Sequence, residues 1–355
     1  MPPLDAPPSR LWIGGSSSLT RSYLNAFPGE KWILTGAEKS SADWMAEPMA
    51  DNCQYVACDF SQSEEILDKV LHSIPAELDC VVLGIRPPLV THRTDAHSTL
   101  YCQSILDGLR HFLTSIIQRG RVRKFIHVSS IAVVGHLDGQ QNQSERDPEP
   151  KEVLQPYDRF KHESEKLVAS LCSGSISFTN IRLGAIFSDD PSCIQCCALG
   201  LQAYVGPYLP VPIDCNSGRN AATLIHAVLG KQERKLRPVY YYTRPTQYQQ
   251  PVPYGEYLKD FRQGNGIPFY CPLPIAVVHG FVALIHLLSV LIGSIIPYLQ
   301  SVDYLLQVSR REHSFDLSAV KEDFSFDEET IEECFRRRAK YLRSRRYGKG
   351  KHHTE

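Results

Sequence analysis

The chain has 355 residues, a formal net charge of −1, 43% hydrophobic and 22% charged side chains. That is enough apolar material for one large or two ordinary globular domains, and the near-neutral balance excludes a general nucleic-acid binder. The first ten residues are Pro-rich without an apolar run, so no secretory signal is read there, and the eleven cysteines are expected to be reduced thiols of a cytosolic chain.

Leu11-Trp12-Ile13 is a short apolar run that ends in Gly14-Gly15 and predicts a strand, followed by a helix over Leu19–Phe27 and a strand over Lys31–Thr35. Tyr55–Cys58 precedes Asp59, Glu64–Ile74 is a helix candidate, and Cys80–Leu83 before Gly84 is apolar throughout, as a strand buried on both faces requires. A long helix over Ser98–Arg119 leads to a strand at Lys124–Val128, which runs into Ser129-Ser130. A polar loop over Leu137–Pro150 precedes a helix from Pro156 to Leu171 and a strand at Phe178–Leu183. Strands spaced by helices imply a doubly wound, Rossmann-like parallel sheet whose ligand crevice lies at the carboxyl ends of its strands, where Gly14, Asp59, Gly84 and Ser130 all fall. Beyond Gly184 the pattern loosens, with elements at Ala221–Leu229 and Val239–Thr243, and predicts a smaller substrate lobe. The expected division is a disordered 1–9, a dinucleotide-binding domain over 10–185, a substrate lobe over 186–335 and a basic tail over 336–355.

The chemistry concentrates in Tyr157-Asp158-Arg159-Phe160-Lys161, 27 residues after Ser130. Pro156 suits the first turn of a helix, so Tyr157 and Lys161 share one helix face at i and i+4. A cation beside the phenol favours its phenolate, which lets Tyr157 exchange a proton with a substrate hydroxyl, and Lys161 can also hold a ribose. The turn after the first strand has the register of a dinucleotide fingerprint, with Gly14, Ser17 and Thr20 at the three glycine positions and Gly15 beside the first. The acid that would grip the ribose diol falls on Gly36. Glu38 keeps NAD open, and Lys39 offers a partner to the 2′-phosphate of NADP. Cys193, Cys196 and Cys197 form a C-x-x-C-C group with no second paired motif, so no metal centre is expected.

The order of these motifs, with Val128 to Gly135 and Ile181-Arg182-Leu183-Gly184, resembles an extended short-chain dehydrogenase/reductase. Leu273-Pro274-Ile275 before a long apolar stretch, then Val308-Ser309-Arg310 and His313 to Val320, resemble the 3β-hydroxysteroid dehydrogenase/isomerase family and its sterol dehydrogenase relatives. The resemblance covers about residues 10–335. It implies Ser130 as the hydroxyl that bonds the reacting oxygen, Tyr157 as acid/base, Lys161 as its partner and ribose ligand, and Asp59 as the residue that meets the adenine. Ile105 stands where the family carries Asn ahead of Gly108.

From Gln263 to Val302 there is no Asp, Glu, Lys or Arg, and Ile275–Ile296 is apolar almost throughout. Such a segment, expected within 273–300, can span a bilayer, lie in its interface or pack as a core helix, and the stripe of His279, His286 and Ser289 predicts one face against protein. The nine Lys/Arg between Arg336 and Lys351 would add attraction to an anionic surface. The leading expectation is oxidation of a steroid or sterol 3β-hydroxyl with NAD or NADP, with or without an isomerase step, at the cytosolic face of an intracellular membrane such as the endoplasmic reticulum. A small apolar substrate, the membrane and a second copy of the chain in a homodimer are the expected partners. A reductase or epimerase acting on a non-steroid substrate, and a catalytically quiet nucleotide-binding scaffold, are the alternatives.

Overall fold

The computed structural model describes residues 9–38, 52–85, 96–134, 143–144, 156–172, 174, 176–189, 193, 196, 199–200, 203–206, 212–269, 271–272, 275–292 and 314–349. The chain divides into two compact units. The first comprises Met1–Gly135, Glu149–Arg182 and Ile225–Tyr240, and the second His136–Pro148, Leu183–Leu224 and Tyr241–Glu355. The first unit therefore includes a segment from beyond residue 185, Ile225–Tyr240.

The first unit is built on strands β1 (Arg10–Ile13), β2 (Trp32–Gly36), β3 (Cys53–Ala57), β4 (Glu77–Leu83), β5 (Arg121–Ser130) and β6 (Ser177–Leu183). With β7 (Ala185–Phe187) and β8 (Cys215–Ser217) in the second unit, the last strand of the large sheet is β9 (Val239–Tyr242), and the seven-stranded order is β9-β6-β5-β4-β1-β2-β3. Pairing is parallel from β3 through β2, β1 and β4 to β5. Helices cover both faces, as the alternation of elements predicts. Helices α2 (Glu64–Leu71), α3 (Ala96–Arg119) and α4 (Pro156–Cys172) share one core with Leu11, Ile13, Ile33, Val81 and Phe125 of the strands.

Alternate residues point to the other face, because successive side chains of a strand project oppositely. There Trp12 meets Trp32 edge-on at 5.4 Å, and both pack on Tyr23 of α1 (Ser18–Ala26). Ser17 caps α1 by accepting from the Thr20 N–H at 3.1 Å, so the second glycine position of the fingerprint is spent on helix initiation. Helix α5 (Gly218–Gly230) ends against the same face, where Lys124 of β5 donates to the carbonyls of Val228, Leu229 and Lys231 at 3.0, 2.7 and 2.7 Å. A buried ammonium thus satisfies the orphan carbonyls at a helix C-terminus.

In the second unit β7 pairs with β8, and helix α6 (Tyr254–Asn265) packs on helix α9 (Ile331–Lys349) through Phe261 and Phe335, whose rings meet edge-on at 5.2 Å. A short helix, α8 (Ser318–Asp323), precedes α9. The basic segment from residue 336 lies within α9 as far as Lys349. Arg336 pairs with Glu332, Arg337 with Glu329 and Asp189, and Arg338 is buried. Helix α7 (Ile275–Ile292) occupies the first 18 residues of the apolar segment. No helix among the described residues is long and apolar enough to cross a membrane. The expected polar stripe of α7 is described only in part. His286 is exposed and Ser289 half-buried, and the side chain of His279 lies outside the described ones.

All described cysteines are free thiols, and no group of three metal-ligating side chains occurs among the described residues.

Candidate active site

Gly14 turns the chain out of β1 with φ +82°, a region in which side chains are strained. A Cβ there would also lie 2.7 Å from the Gly84 carbonyl carbon, so the turn after β1 and the end of β4 touch backbone to backbone. The Gly84 N–H donates to the Ile13 carbonyl at 2.7 Å, and Gly15 N–H to the Thr35 carbonyl at 2.6 Å, which ties the ends of β1, β2 and β4 into one rim. Side-chain-free main chain beside a helix N-terminus is what a pyrophosphate needs, so the turn fits a dinucleotide at its first glycine.

Asp59 follows β3 on the same edge, where its Oδ1 accepts from the Ser61 N–H at 2.9 Å and the Ser61 hydroxyl at 2.8 Å. One oxygen is thereby committed to a local turn. Lys39 lies outside the described residues.

Pro156 begins α4, as the first-turn preference predicts, and Tyr157 follows it half-buried. One turn on, Lys161 is buried and its Nζ donates to the Ile85 carbonyl at 2.8 Å and the Val128 carbonyl at 3.0 Å. These two bonds fasten the Tyr157/Lys161 face of α4 to the ends of β4 and β5, two residues from Ser130. Ser130 closes β5, and its oxygen accepts from the Ala132 N–H at 3.2 Å, so its hydroxyl proton is left to donate. The structure brings Gly14, Gly84, Ser130 and Lys161 to the carboxyl edge of three adjacent strands. Ile105, in place of the family's Asn, is part of the hydrophobic core.

A buried polar layer that the motifs did not announce supports α4 from beneath. His127 of β5 lies 3.0 Å from Asn180 Oδ1 through Nδ1 and 3.2 Å from Ser164 Oγ through Nε2. Asn180 Oδ1 can only accept, so Nδ1 carries the proton, and the Ser164 hydroxyl beside Nε2 donates to the Lys161 carbonyl at 2.8 Å. Burial, then the charge of Lys161, push the His127 pKa from its ordinary 6.5 down to about 4. Beside it Arg182 forms a two-pronged pair with Glu165 at 3.0 and 2.7 Å. Burial alone would raise the Glu165 carboxyl, but the Arg182 hydrogen bond and charge hold it below its usual value. Glu165 stands one turn beyond Lys161, a spacing that could have marked it.

The neutral state of His127 has a measurable consequence. An unfolded chain protonates this imidazole near pH 6.5 and the folded one resists to about pH 4, so the stability it contributes is full above pH 6.5 and is lost as pH falls between those values. At pH 5 the loss is about 2 kcal/mol. Urea unfolding at pH 8 and pH 5 should show that difference, and His127→Gln should remove that part of it. An equal loss in the variant would place the titration elsewhere.

With this geometry in place the comparisons with known proteins can be weighed. Residues 28–192 match the NAD dependent epimerase/dehydratase family. The match begins after the glycine turn, in keeping with the two glycine positions that Ser17 and Thr20 fill. No curated protein matches the chain in sequence. Among solved structures, the Bordetella bronchiseptica enzyme WbmH in complex with NAD+ is 12% identical, with a TM-score of 0.65 over 94% of this chain and 98% of that one. UDP-glucose 4-epimerase with UDP-glucose from the hyperthermophile Thermotoga maritima is 14% identical, with a TM-score of 0.66 over 95% and 99%. L-threonine dehydrogenase from Phytophthora infestans is 13% identical, with a TM-score of 0.62 over 95% and 99%. At such identities the likeness is one of fold, the Rossmann-like fold of extended dehydrogenases and epimerases. The matched family depends on NAD, in agreement with the expected NAD or NADP.

Proposed function

We propose that the chain is an NAD(P)-dependent oxidoreductase that oxidises the 3β-hydroxyl of a steroid or sterol. The observation that carries the oxidoreductase reading is the fastening of Lys161 to the Ile85 and Val128 carbonyls, which sets the Tyr157 helix beside Ser130 at the strand ends. Gly14, Gly15 and Ser17 would receive the pyrophosphate, Asp59 the adenine and Lys161 the nicotinamide ribose. A bound nicotinamide would supply the hydride acceptor. Tyr157 takes the proton of the substrate hydroxyl, with Lys161 supplying positive charge one turn away, and Ser130 donates to the oxygen as it becomes a carbonyl.

Helix α7 favours an apolar substrate met at a membrane. Val277, Leu284, Leu287, Val290 and Leu291 are each at least half exposed. With Ala276, Gly280 and Ala283 they recur at helical spacing, so an uncharged apolar half-cylinder faces solvent. Such a helix suits lying in the plane of a bilayer interface, on the cytosolic side of an intracellular membrane. A second reading, an epimerase or reductase on a nucleotide sugar, is favoured by the family matched and by the likeness to UDP-glucose 4-epimerase.

A substrate panel separates the two. Steroid 3β-alcohols with NAD or NADP should give reduced cofactor, whereas interconversion of UDP-hexoses without net reduction would overturn the steroid reading in favour of the second. In the same preparations, the chain should float with phospholipid vesicles and resist release by high salt. A chain that stays at the bottom of the gradient would make α7 a surface for protein.

A further inference from the structure

Three thiols gather on consecutive carbonyls of the chain as it leaves β7. Cys193 Sγ lies 3.5 Å from the Ile186 carbonyl oxygen, Cys334 Sγ 3.8 Å from that of Phe187 and Cys196 Sγ 3.5 Å from that of Ser188. All three are buried in one apolar core with Cys215. Within this group Cys193 and Cys196 stand within hydrogen-bond reach of each other.

Two observations separate the pair from ordinary buried thiols. Donors converge on Cys193, where the Cys196 thiol and the N–H groups of Cys196 and Ser188 meet the sulfur and hold its pKa below the usual thiol value against the cost of burial. Burial without such donors pushes Cys58, Cys80 and Cys172 up to about 12. Independently, Arg338 of α9 is buried, and its Nε is enclosed without a hydrogen-bond partner among the described residues. An enclosed guanidinium N–H without an acceptor is unfavourable, and the charge of Arg338 acts on Cys196 and Cys334.

We propose that Cys193 and Cys196 form a dithiol site that a small hydroperoxide oxidises to a disulfide, with Cys193 the attacking sulfur, Cys196 the resolving one and Arg338 the cation that favours the second step. The Cys193 thiolate attacks the terminal peroxide oxygen, the O–O bond breaks, and the other oxygen leaves protonated, as an alcohol or water. Cys193 is then a sulfenic acid. The Cys196 sulfur attacks it, the S–O bond breaks, and water carries away the oxygen with the Cys196 proton. The two thiols lose two electrons and two protons, and the hydroperoxide receives both. Cys196 is held as a thiol by its hydrogen bond to Cys193, by burial and by the Cys193 charge. The first and last of these vanish once Cys193 is a neutral sulfenic acid, and Arg338 then draws Cys196 towards its thiolate. Exposures of 4% and 1% admit only a small oxidant. No residue of the glycine-turn rim takes part, so the site does not depend on the oxidoreductase reading.

The test is peptide mapping by mass spectrometry after the full chain meets hydrogen peroxide and is then unfolded in an alkylating reagent with dimedone, which traps sulfenic acids. The parent should give a Cys193–Cys196 disulfide while Cys215 and Cys334 are recovered as alkylated thiols. Cys196→Ser should yield the dimedone adduct at Cys193, and Cys193→Ser should leave Cys196 a thiol. Arg338→Gln should lower the ratio of disulfide to trapped sulfenic acid by about tenfold, with Arg338→Lys restoring most of it, and thermal melting confirms that each variant is folded. Three results would overturn the proposal: oxidation of the exposed Cys271 while Cys193 and Cys196 remain thiols, pairing of Cys193 with any other cysteine, or a parental ratio in folded Arg338→Gln.

Discussion

Tyr157→Phe should cost about 10²–10⁴-fold in kcat, the usual range for loss of a positioned acid/base, while leaving cofactor affinity and melting temperature near those of the parent. The change removes one hydroxyl from a half-buried side chain on the first turn of α4. The bonds that fasten that helix belong to Lys161, one turn further on, and so survive. Kinetics on whichever substrate the panel identifies, read beside NADH titration, separates chemistry from binding. Turnover at the parental rate would remove Tyr157 from the reaction.

Gly14→Ala should be the more damaging substitution, because it acts on fold and cofactor together. An alanine at φ +82° carries left-handed strain of roughly 1–2 kcal/mol, and its Cβ would lie 2.7–2.8 Å from the backbone of Gly84 and Ile85. Ile85 is also a Lys161 partner, so displacement of that segment reaches α4. Dinucleotide affinity should fall by at least about tenfold with a lowered melting temperature, the combined signature of strain and lost backbone approach. Parental affinity in this variant would mean that the turn is not where the pyrophosphate sits.

Much of the first unit is legible in the sequence because its strands are continuously apolar. Leu11–Ile13 and Cys80–Leu83 are buried runs between polar turns, and Pro156 announces the start of α4. What escapes is carried by the main chain or by isolated polar residues on alternating strands. The Lys161 tether ends on two carbonyls, and a carbonyl has no residue-type signature. His127 and Asn180 read as ordinary strand residues until β5 and β6 lie side by side. Position 36 shows the same limit, since only the fold reveals that a Cβ on Gly36 would lie 2.7 Å from the Tyr55 hydroxyl. For α7 the composition was plain, but helical periodicity alone did not say which stripe faces solvent. The apolar one does. In the basic run from Arg336, only the fold shows that Arg336 and Arg337 pair with Glu332 and Glu329 at the start of α9.

The central claim is that the rim formed by Gly14, Gly84, Ser130 and Lys161 holds a nicotinamide dinucleotide, and equilibrium titration of the full chain with NADH tests it most directly. Saturable enhancement of nicotinamide fluorescence is expected at one site per chain, abolished by excess NAD and lost in Gly14→Ala. A folded parent chain that shows no saturable binding of NADH or NADPH would contradict it and leave a dehydrogenase fold without a cofactor.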